Sequence, residues 1–385
     1  MEIYLDNSAT TKCSPAAIKA MKQALEEDFG NPSSMHLKGV EAERSLKKAK
    51  ETLAKTLKVQ PKELILTSGG TESNNTAILG AALANRRAGN RVLTTAVEHS
   101  SVAQPMKYLE ELGFEVEVLP VNHEGLVSPE VLKEAVTKDT ILVSMMYVNN
   151  EIGTVQPIAE AAALAKEKNP DVIFHTDAVQ AYAKYRIFPK RLGVDLLSVS
   201  SHKFHGPKGA GFLYKREKVK IKPLLLGGGQ QDGMRSGTDN VPGAVGMAAA
   251  AQECYGDLEN QVLRMRTCRQ RLLDGLACME HVKINGSTEE QFAAPHIVNA
   301  SFPGVRSEVL LHALEERGIF VSAGSACSSN KKAGSATLQA LGLSKEERES
   351  AIRFSFCTDT TTEEIGQAIA VLQEIVPFLR KYSRK

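Results

Sequence analysis

The 385 residues include 47 Lys plus Arg against 45 Asp plus Glu, a net charge of +2 at pH 7. That balance argues against a protein whose main task is gripping nucleic acid. At 42% hydrophobic and 24% charged residues, with 29 Gly and 15 Pro, the composition excludes collagen-like and low-complexity chains and leaves length for two or three globular domains. Six cysteines, Cys13, Cys254, Cys268, Cys278, Cys327 and Cys357, form no C-x-x-C pair and no short regular spacing. This disfavours a disulfide framework or structural zinc and favours a reducing, intracellular setting. The first residues lack a basic stretch followed by an apolar run. The small-apolar stretches 77–84 and 244–251 fall short of the ~18–20 residues that span a bilayer. A soluble, cytoplasmic protein with no membrane contact and no direct nucleic-acid partner is expected.

In chain order, residues 3–5 read as a strand, and Ser14-Pro15 as an N-cap followed by proline at the first helical position. Ile18, Met21 and Leu25 continue that helix, Asn31-Pro32-Ser33-Ser34 breaks it, and a second amphipathic helix is expected over 40–57. Short apolar runs follow at 64–67, 91–95, 115–119, 140–146, 172–175 and 196–200, mostly separated by helix-length segments. Such alternation signals a mostly parallel sheet with helices on both faces. The texture changes after Gly227-Gly228-Gly229. One long helical region is expected over 241–279, then strands near 282–285, 296–302, 319–321 and 352–356, with helices at 307–317 and 363–382. These read as a smaller α+β domain. The segment 322–336, almost wholly Ser, Ala, Gly, Lys and Asn, is its least structured part.

Three features fall where the expected strands end, the place at which open α/β sheets bind ligands. Thr67-Ser68-Gly69-Gly70-Thr71-Glu72-Ser73-Asn74 stands between a strand and a helix. Its glycines permit close approach, and the helix start offers N–H groups to a phosphate. It matches neither nucleotide-binding glycine motif, and read alone it is a tight turn with Thr71 as a cap. His175-Thr176-Asp177-Ala178-Val179-Gln180 places an acid after a buried strand, where it needs a cation or hydrogen-bond donors. Ser200-Ser201-His202-Lys203-Phe204-His205-Gly206-Pro207-Lys208-Gly209 places a lysine after another. That lysine is either a satisfied structural cation or an amine tuned for Schiff-base chemistry. His202 and His205 lack the partners of a metal site, and no resident metal is expected.

Together, an amine to hold an aldehyde, an acid to pair with a protonated ring nitrogen and a phosphate cradle are what pyridoxal 5'-phosphate requires. Asp177 would keep the ring nitrogen protonated, Gln180 would reach the ring hydroxyl, and His99 in Glu98-His99-Ser100 would stack on the ring.

The residues resemble, essentially end to end, a pyridoxal-phosphate-dependent cysteine desulfurase of the NifS/IscS type, within the class V aminotransferase family. The resemblance rests on Leu5-Asp6-Asn7-Ser8-Ala9-Thr10-Thr11, Gly30-Asn31-Pro32-Ser33-Ser34, Val97-Glu98-His99 and Val148-Asn149-Asn150-Glu151-Ile152-Gly153. It continues in Ser201–Gly209 (the lysine segment above), Arg235-Ser236-Gly237-Thr238 and Ser325-Ala326-Cys327-Ser328-Ser329. It implies the fold type I of pyridoxal-phosphate transferases. That means a large domain with a mostly parallel seven-stranded sheet over residues 14–250, and a smaller α+β domain over 251–385 that takes back 1–13. It implies that Lys203 binds the cofactor aldehyde and that Gly70, Thr71, Ser200 and His202 hold the phosphate. It further implies that Asn150 contacts cofactor and substrate, that Arg353 binds the substrate carboxylate, and that Thr238 reaches the site of the other subunit of a homodimer.

Cys327 completes the expected catalytic set of Cys327, Lys203 and His99. Its surroundings, Gly324-Ser325-Ala326-Cys327-Ser328-Ser329-Asn330-Lys331-Lys332, offer a core nothing to hold, and a solvent-reaching thiol near lysines is a better nucleophile than a core thiol. The other five cysteines read as structural, and Cys357 has no assignable role. The implied activity converts L-cysteine to L-alanine and leaves a persulfide on Cys327. A sulfur-acceptor protein would receive it, either an iron–sulfur scaffold, with transient iron–sulfur contact through Cys327, or a tRNA-thiolation enzyme. Two alternatives stand beside it: another class V enzyme such as an aminotransferase, and a non-catalytic sulfur-relay protein on the same fold.

Overall fold

The computed structural model describes residues 2–323 and 334–382. The chain opens with strand β1 (Ile3–Tyr4) and helices α1 (Pro15–Glu26) and α2 (Leu37–Leu57). Ser14 caps α1 as its spacing predicts, its hydroxyl accepting from the Ala17 N–H, with Pro15 where no N–H is needed. α2 begins ahead of the expected residue 40 because the His36 ring caps it, accepting from the Gly39 N–H.

Strands β2 (Leu64–Thr67), β3 (Arg91–Thr95), β4 (Glu115–Leu119), β5 (Thr140–Ser144), β6 (Ile173–Asp177), β7 (Leu196–Ser200) and β8 (Gly211–Lys215) form one sheet. Its order is β2-β8-β7-β6-β5-β3-β4. The neighbours β4, β3, β5, β6 and β7 run parallel, and β5, β6 and β7 are buried along their whole length, which explains their unbroken apolar runs. β8 is absent from the sequence expectation. It runs antiparallel between β7 and β2, so the chain returns through the short Lys203 loop without the helix-length spacer that marks a parallel crossover. Helices α3 (Gly70–Asn85) and α4 (Ser100–Glu111) follow β2 and β3. α3 lies across β7 and β8, while α1, α2 and the helix Val241–Gly256 pack together in a separate cluster.

The single helical stretch expected over 241–279 is instead two helices, Val241–Gly256 and Leu258–Ala277. Asp257 breaks it, with φ −134° and ψ 32°. Its carboxylate accepts from the Asn260 amide at 2.6 Å and pairs with Arg264 at 3.1 Å, giving the second helix its own start. The first helix is apolar nearly all round and the second has one buried stripe, so the break also separates two packing environments.

A second sheet contains β9 (Lys283–Asn285), β10 (Ile297–Ser301), β12 (Ser322–Ala323) and β13 (Ala351–Ser355), antiparallel in the order β12-β13-β10-β9; β11 (Ile319–Phe320) pairs in parallel with β1. Ile3 and Leu5 join Leu272, Phe302, Phe354 and Leu372 in its core. The following residues cross to the first sheet. The Asn7 amide and Ser8 N–H bond Ser355, and the Thr11 N–H donates to the His202 carbonyl at 2.8 Å. The amino-terminal segment is therefore the seam between the two cores. Among the described residues, no helix is long and apolar enough to cross a membrane.

Candidate active site

The ends of β2, β6 and β7, the turn before α4 and the amino-terminal seam surround one cavity of about 560 Å³. Gly70, Thr71, His99, Asn150, Asp177, Gln180, Ser200, His202, Lys203 and Arg353 all line it. Thr238 does not. It is exposed and lines a neighbouring groove with Thr67, Ser68 and Arg235. Cys327 lies outside the described residues.

Lys203 sits on a single 3-10 turn after β7. Its Nζ donates to the carbonyls of Ser8 at 2.6 Å and Ala9 at 2.8 Å. Burial, and after it the Arg353 guanidinium, pushes this amine down to about 8. At neutral pH its free-base fraction is thus roughly two orders of magnitude above that of an ordinary lysine.

Asp177 ends β6 with its carboxylate buried. Oδ1 accepts from the Val179 N–H at 2.9 Å and Oδ2 from the Asn74 amide at 2.7 Å. No cation among the described residues forms an ion pair with it, and it lines the cavity that Lys203 also lines. Asn74, fully buried on α3, also donates to Ser101 Oγ at 2.8 Å, which meets His99 Nδ1 at 2.7 Å. Nδ1 accepts the Ser101 N–H as well, at 3.1 Å, making His99 the N-cap of α4. With Nδ1 accepting a backbone N–H, Nε2 is the ring nitrogen that carries a proton. One hydrogen-bonded chain links His99 to Asp177.

The phosphate-sized end is built by backbone. Gly69 has φ +142°, and a Cβ on Gly70 would come within 2.7 Å of Val179 Cγ2, so both positions need glycine. Gly69, without a side-chain bond, is the N-cap of α3; Thr71 lies within the helix, correcting its reading as the cap. Glu72 accepts the Ser68 N–H at 2.9 Å and pairs with Arg235 at 2.8 Å, leaving the helix start to an incoming anion. Burial, then Lys203, pushes the His202 ring down to about 4. It can give a phosphate a hydrogen bond but no charge.

Arg353 is held by Asp6 Oδ1 at 2.7 Å and the Asn150 carbonyl at 2.9 Å, while its buried Nε has no partner among the described residues. Gln180 Nε2 donates to the Ser8 carbonyl at 3.0 Å, and His296 Nε2 faces its Oε1 at 3.4 Å. Among the described residues no group of three or more His, Cys, Asp or Glu could hold a metal. Cys254 and Cys268 are buried, and burial pushes both thiols up to about 11. Cys278 is exposed, which corrects its reading as structural; Cys357 is half-buried beside Thr360.

Sequence reasoning gave no role to Ser8, Ala9, Asn74 or Ser101. Ser8 and Ala9 act through carbonyls, which no side-chain pattern reveals. Asn74-Asn75 opening an otherwise apolar helix was a usable signal.

Glu98 was also passed over. Its Oε1 accepts from the Met146 N–H at 2.7 Å and Thr95 Oγ1 at 2.8 Å, and its buried Oε2 has no partner among the described residues. Burial, then Asp177's charge, pushes this acid up to about 8. A raised acid holds its proton more tightly folded than unfolded. The stability tied to that proton is full below the ordinary carboxyl range and is lost as pH climbs through about 8. Urea denaturation near pH 5 and near pH 9 should show Glu98→Gln losing less stability than the native chain, by on the order of 2–5 kcal/mol. Equal losses would contradict a neutral Glu98.

A family model described as Aminotransferase class-V matches residues 3–367. The cysteine desulfurase IscS of Dictyoglomus turgidum is 43% identical over 383 residues, spanning 99% of this chain and 96% of that protein. A solved NifS-like protein superposes with a TM-score of 0.93 at 38% identity, covering 98% of this chain and all (100%) of that one. SspA, solved in complex with cysteine, superposes with a TM-score of 0.82 at 32% identity, covering 93% and 99%.

Proposed function

The chain belongs to the class V aminotransferase family, and from that membership and the cavity around Lys203 we infer that it is a pyridoxal-phosphate-dependent cysteine desulfurase with the type I fold. Its substrate is L-cysteine, in keeping with the cysteine held by SspA. The observation carrying this reading is the meeting, in one cavity, of the depressed Lys203 amine and the buried Asp177 carboxylate.

The residues present fit the cofactor. The glycine-built start of α3, with Ser200 and His202, would hold its phosphate, Asp177 its ring nitrogen, Gln180 its hydroxyl, His99 and Asn150 its ring face and edge, and Lys203 its aldehyde carbon. When bound, pyridoxal phosphate supplies an electron sink for the substrate α-carbon.

Arg353, which lines the cavity, and Asn150 orient the substrate carboxylate. Lys203, once its amine is released by the incoming substrate, takes the α-proton. His99 moves a proton at the substrate from Nε2, its other nitrogen being fixed by Ser101. The Cys327 thiolate attacks the substrate sulfur. One S–S bond forms and one C–S bond breaks, the electron pair of the broken bond stays with carbon, and proton uptake completes alanine.

We assign the cofactor to a unit over residues 14–250, and the cysteine to one over 251–385 with 1–13. A homodimer and a separate sulfur-acceptor protein, in a cytoplasmic setting, complete the proposal. The dimer is supported by exposed Phe29, Met35 and Leu37 around the start of α2 and by Thr238, exposed outside its own chain's cavity. Incubating the protein with L-cysteine, with and without a keto acid, tests the reading. With dithiothreitol present to reduce the persulfide and release its outer sulfur as sulfide, alanine and sulfide in equal amounts without a keto acid support it. Alanine that requires a keto-acid acceptor would make the protein an aminotransferase, and no turnover would leave a relay.

A further inference from the structure

Lys184 stands behind the cavity, on the turn that follows β6, with its amine buried. Its Nζ donates to the carbonyl of Lys203 at 2.5 Å. The carbonyls around it in the Lys203 loop are held by ordinary neutral donors: that of His202 by the Thr11 N–H, that of Phe204 by Cys254 Sγ at 3.7 Å and that of His205 by the Ser14 N–H at 2.8 Å. Only the Lys203 carbonyl is given a cation. A buried ammonium without a counter-ion is a costly way to make a hydrogen bond that a hydroxyl or amide could make. No carboxylate among the described residues pairs with Lys184; its ionisable neighbours that favour its charge are the thiols Cys254 and Cys357.

The backbone also is constrained to deliver it. Ala183, the residue before, adopts φ +61°, a conformation that side-chain-bearing residues rarely take. The Ala183 N–H is tied to the Tyr255 hydroxyl at 3.3 Å, and Tyr255 in turn donates to the Tyr185 carbonyl at 3.2 Å. Strain anchored on both sides of one side chain points to a side chain that must be aimed.

We propose that Lys184 is a positioning residue for Lys203: it clamps the Lys203 carbonyl and places a second positive charge behind the Lys203 amine, favouring the free base. The inference rests on the reading of Lys203 as the aldehyde-binding lysine, and its readout needs neither cofactor nor turnover. The groups facing the Lys203 amine are Asp6, Asp177, Arg353, His202 and Lys184. Those facing Lys184 are Lys203, Cys254, Cys357, His202, His205 and His296. Both acids oppose the proposed effect; burial first, then Arg353, and after them Lys184 favour the free base.

The test measures how fast formaldehyde and cyanoborohydride methylate Lys203 in the full, cofactor-stripped chain, against pH, by peptide mass spectrometry. Lys184→Gln keeps a donor and removes the charge; Lys184→Arg keeps the charge. The Gln variant is expected to show about threefold to tenfold less reactive Lys203 amine at fixed neutral pH, with the Arg variant close to native. A Gln variant indistinguishable from native, or an Arg variant resembling Gln, overturns the proposal. The native chain alone gives a second measurement, should the Gln variant not fold. Two amines that repel each other's protons titrate over a wider pH range than one. A broadened Lys203 curve supports the coupling, and a single-site curve contradicts it.

Discussion

Lys203→Ala should leave a folded chain that forms alanine from L-cysteine about 10³–10⁵-fold more slowly than the native protein. On the proposed mechanism the amine performs two tasks, holding the aldehyde and moving the α-proton, and both go with it. Folding should be spared. Lys203 gives its two hydrogen bonds to backbone carbonyls at the rim of an open cavity, and the seam has independent ties through Asn7, Ser8 and Thr11. Because the buried amine is held down to about 8, its removal relieves a desolvation cost, so thermal unfolding should change little. Alanine release by the variant at more than a tenth of the native rate would assign the proton transfer elsewhere.

Cys327→Ala should separate sulfur transfer from cofactor chemistry. The variant should bind pyridoxal phosphate and show the same spectral response to L-cysteine as the native chain, since the cavity residues are untouched. Persulfide formation, read by mass spectrometry of the whole chain after L-cysteine is added, should disappear. Alanine production without an added thiol should fall by roughly two orders of magnitude or more. Of the other thiols, Cys254 and Cys268 are pushed up to about 11 by burial, where thiolate is scarce at neutral pH. Exposed Cys278 is the control: Cys278→Ala should leave both readouts unchanged. Undiminished persulfide on the Cys327→Ala chain would move the carrier to another residue.

Much of this architecture was readable before any coordinates. The parallel strands β5, β6 and β7 announce themselves because strands covered on both faces are written as unbroken apolar runs, whereas edge strand β4, Glu-Val-Glu-Val-Leu, alternates and is half exposed. Asp177 and Lys203 could be picked out because an acid and an amine directly after such strands demand an explanation. β8 escaped because an antiparallel return needs no spacer, and the break at Asp257 because its stop lies in one residue's side-chain bonds, not in periodicity. Within the cavity, the missed contributions are those made by carbonyls, from Ser8 and Ala9, and by a buried amide, Asn74. Their effect depends on residues far apart in sequence. Lys184 belongs with them: nothing local to Tyr182-Ala183-Lys184-Tyr185 tells of the carbonyl that its amine meets.

Cysteine desulfurase chemistry here depends on a covalent link between the cofactor aldehyde and one ε-amine. Reducing the resting, cofactor-loaded protein with borohydride makes that link permanent, and peptide mass spectrometry then locates it. The pyridoxal phosphate adduct should fall on the peptide containing Lys203, at one per chain. An adduct on Lys184, on Lys208 or on no lysine at all would contradict the account.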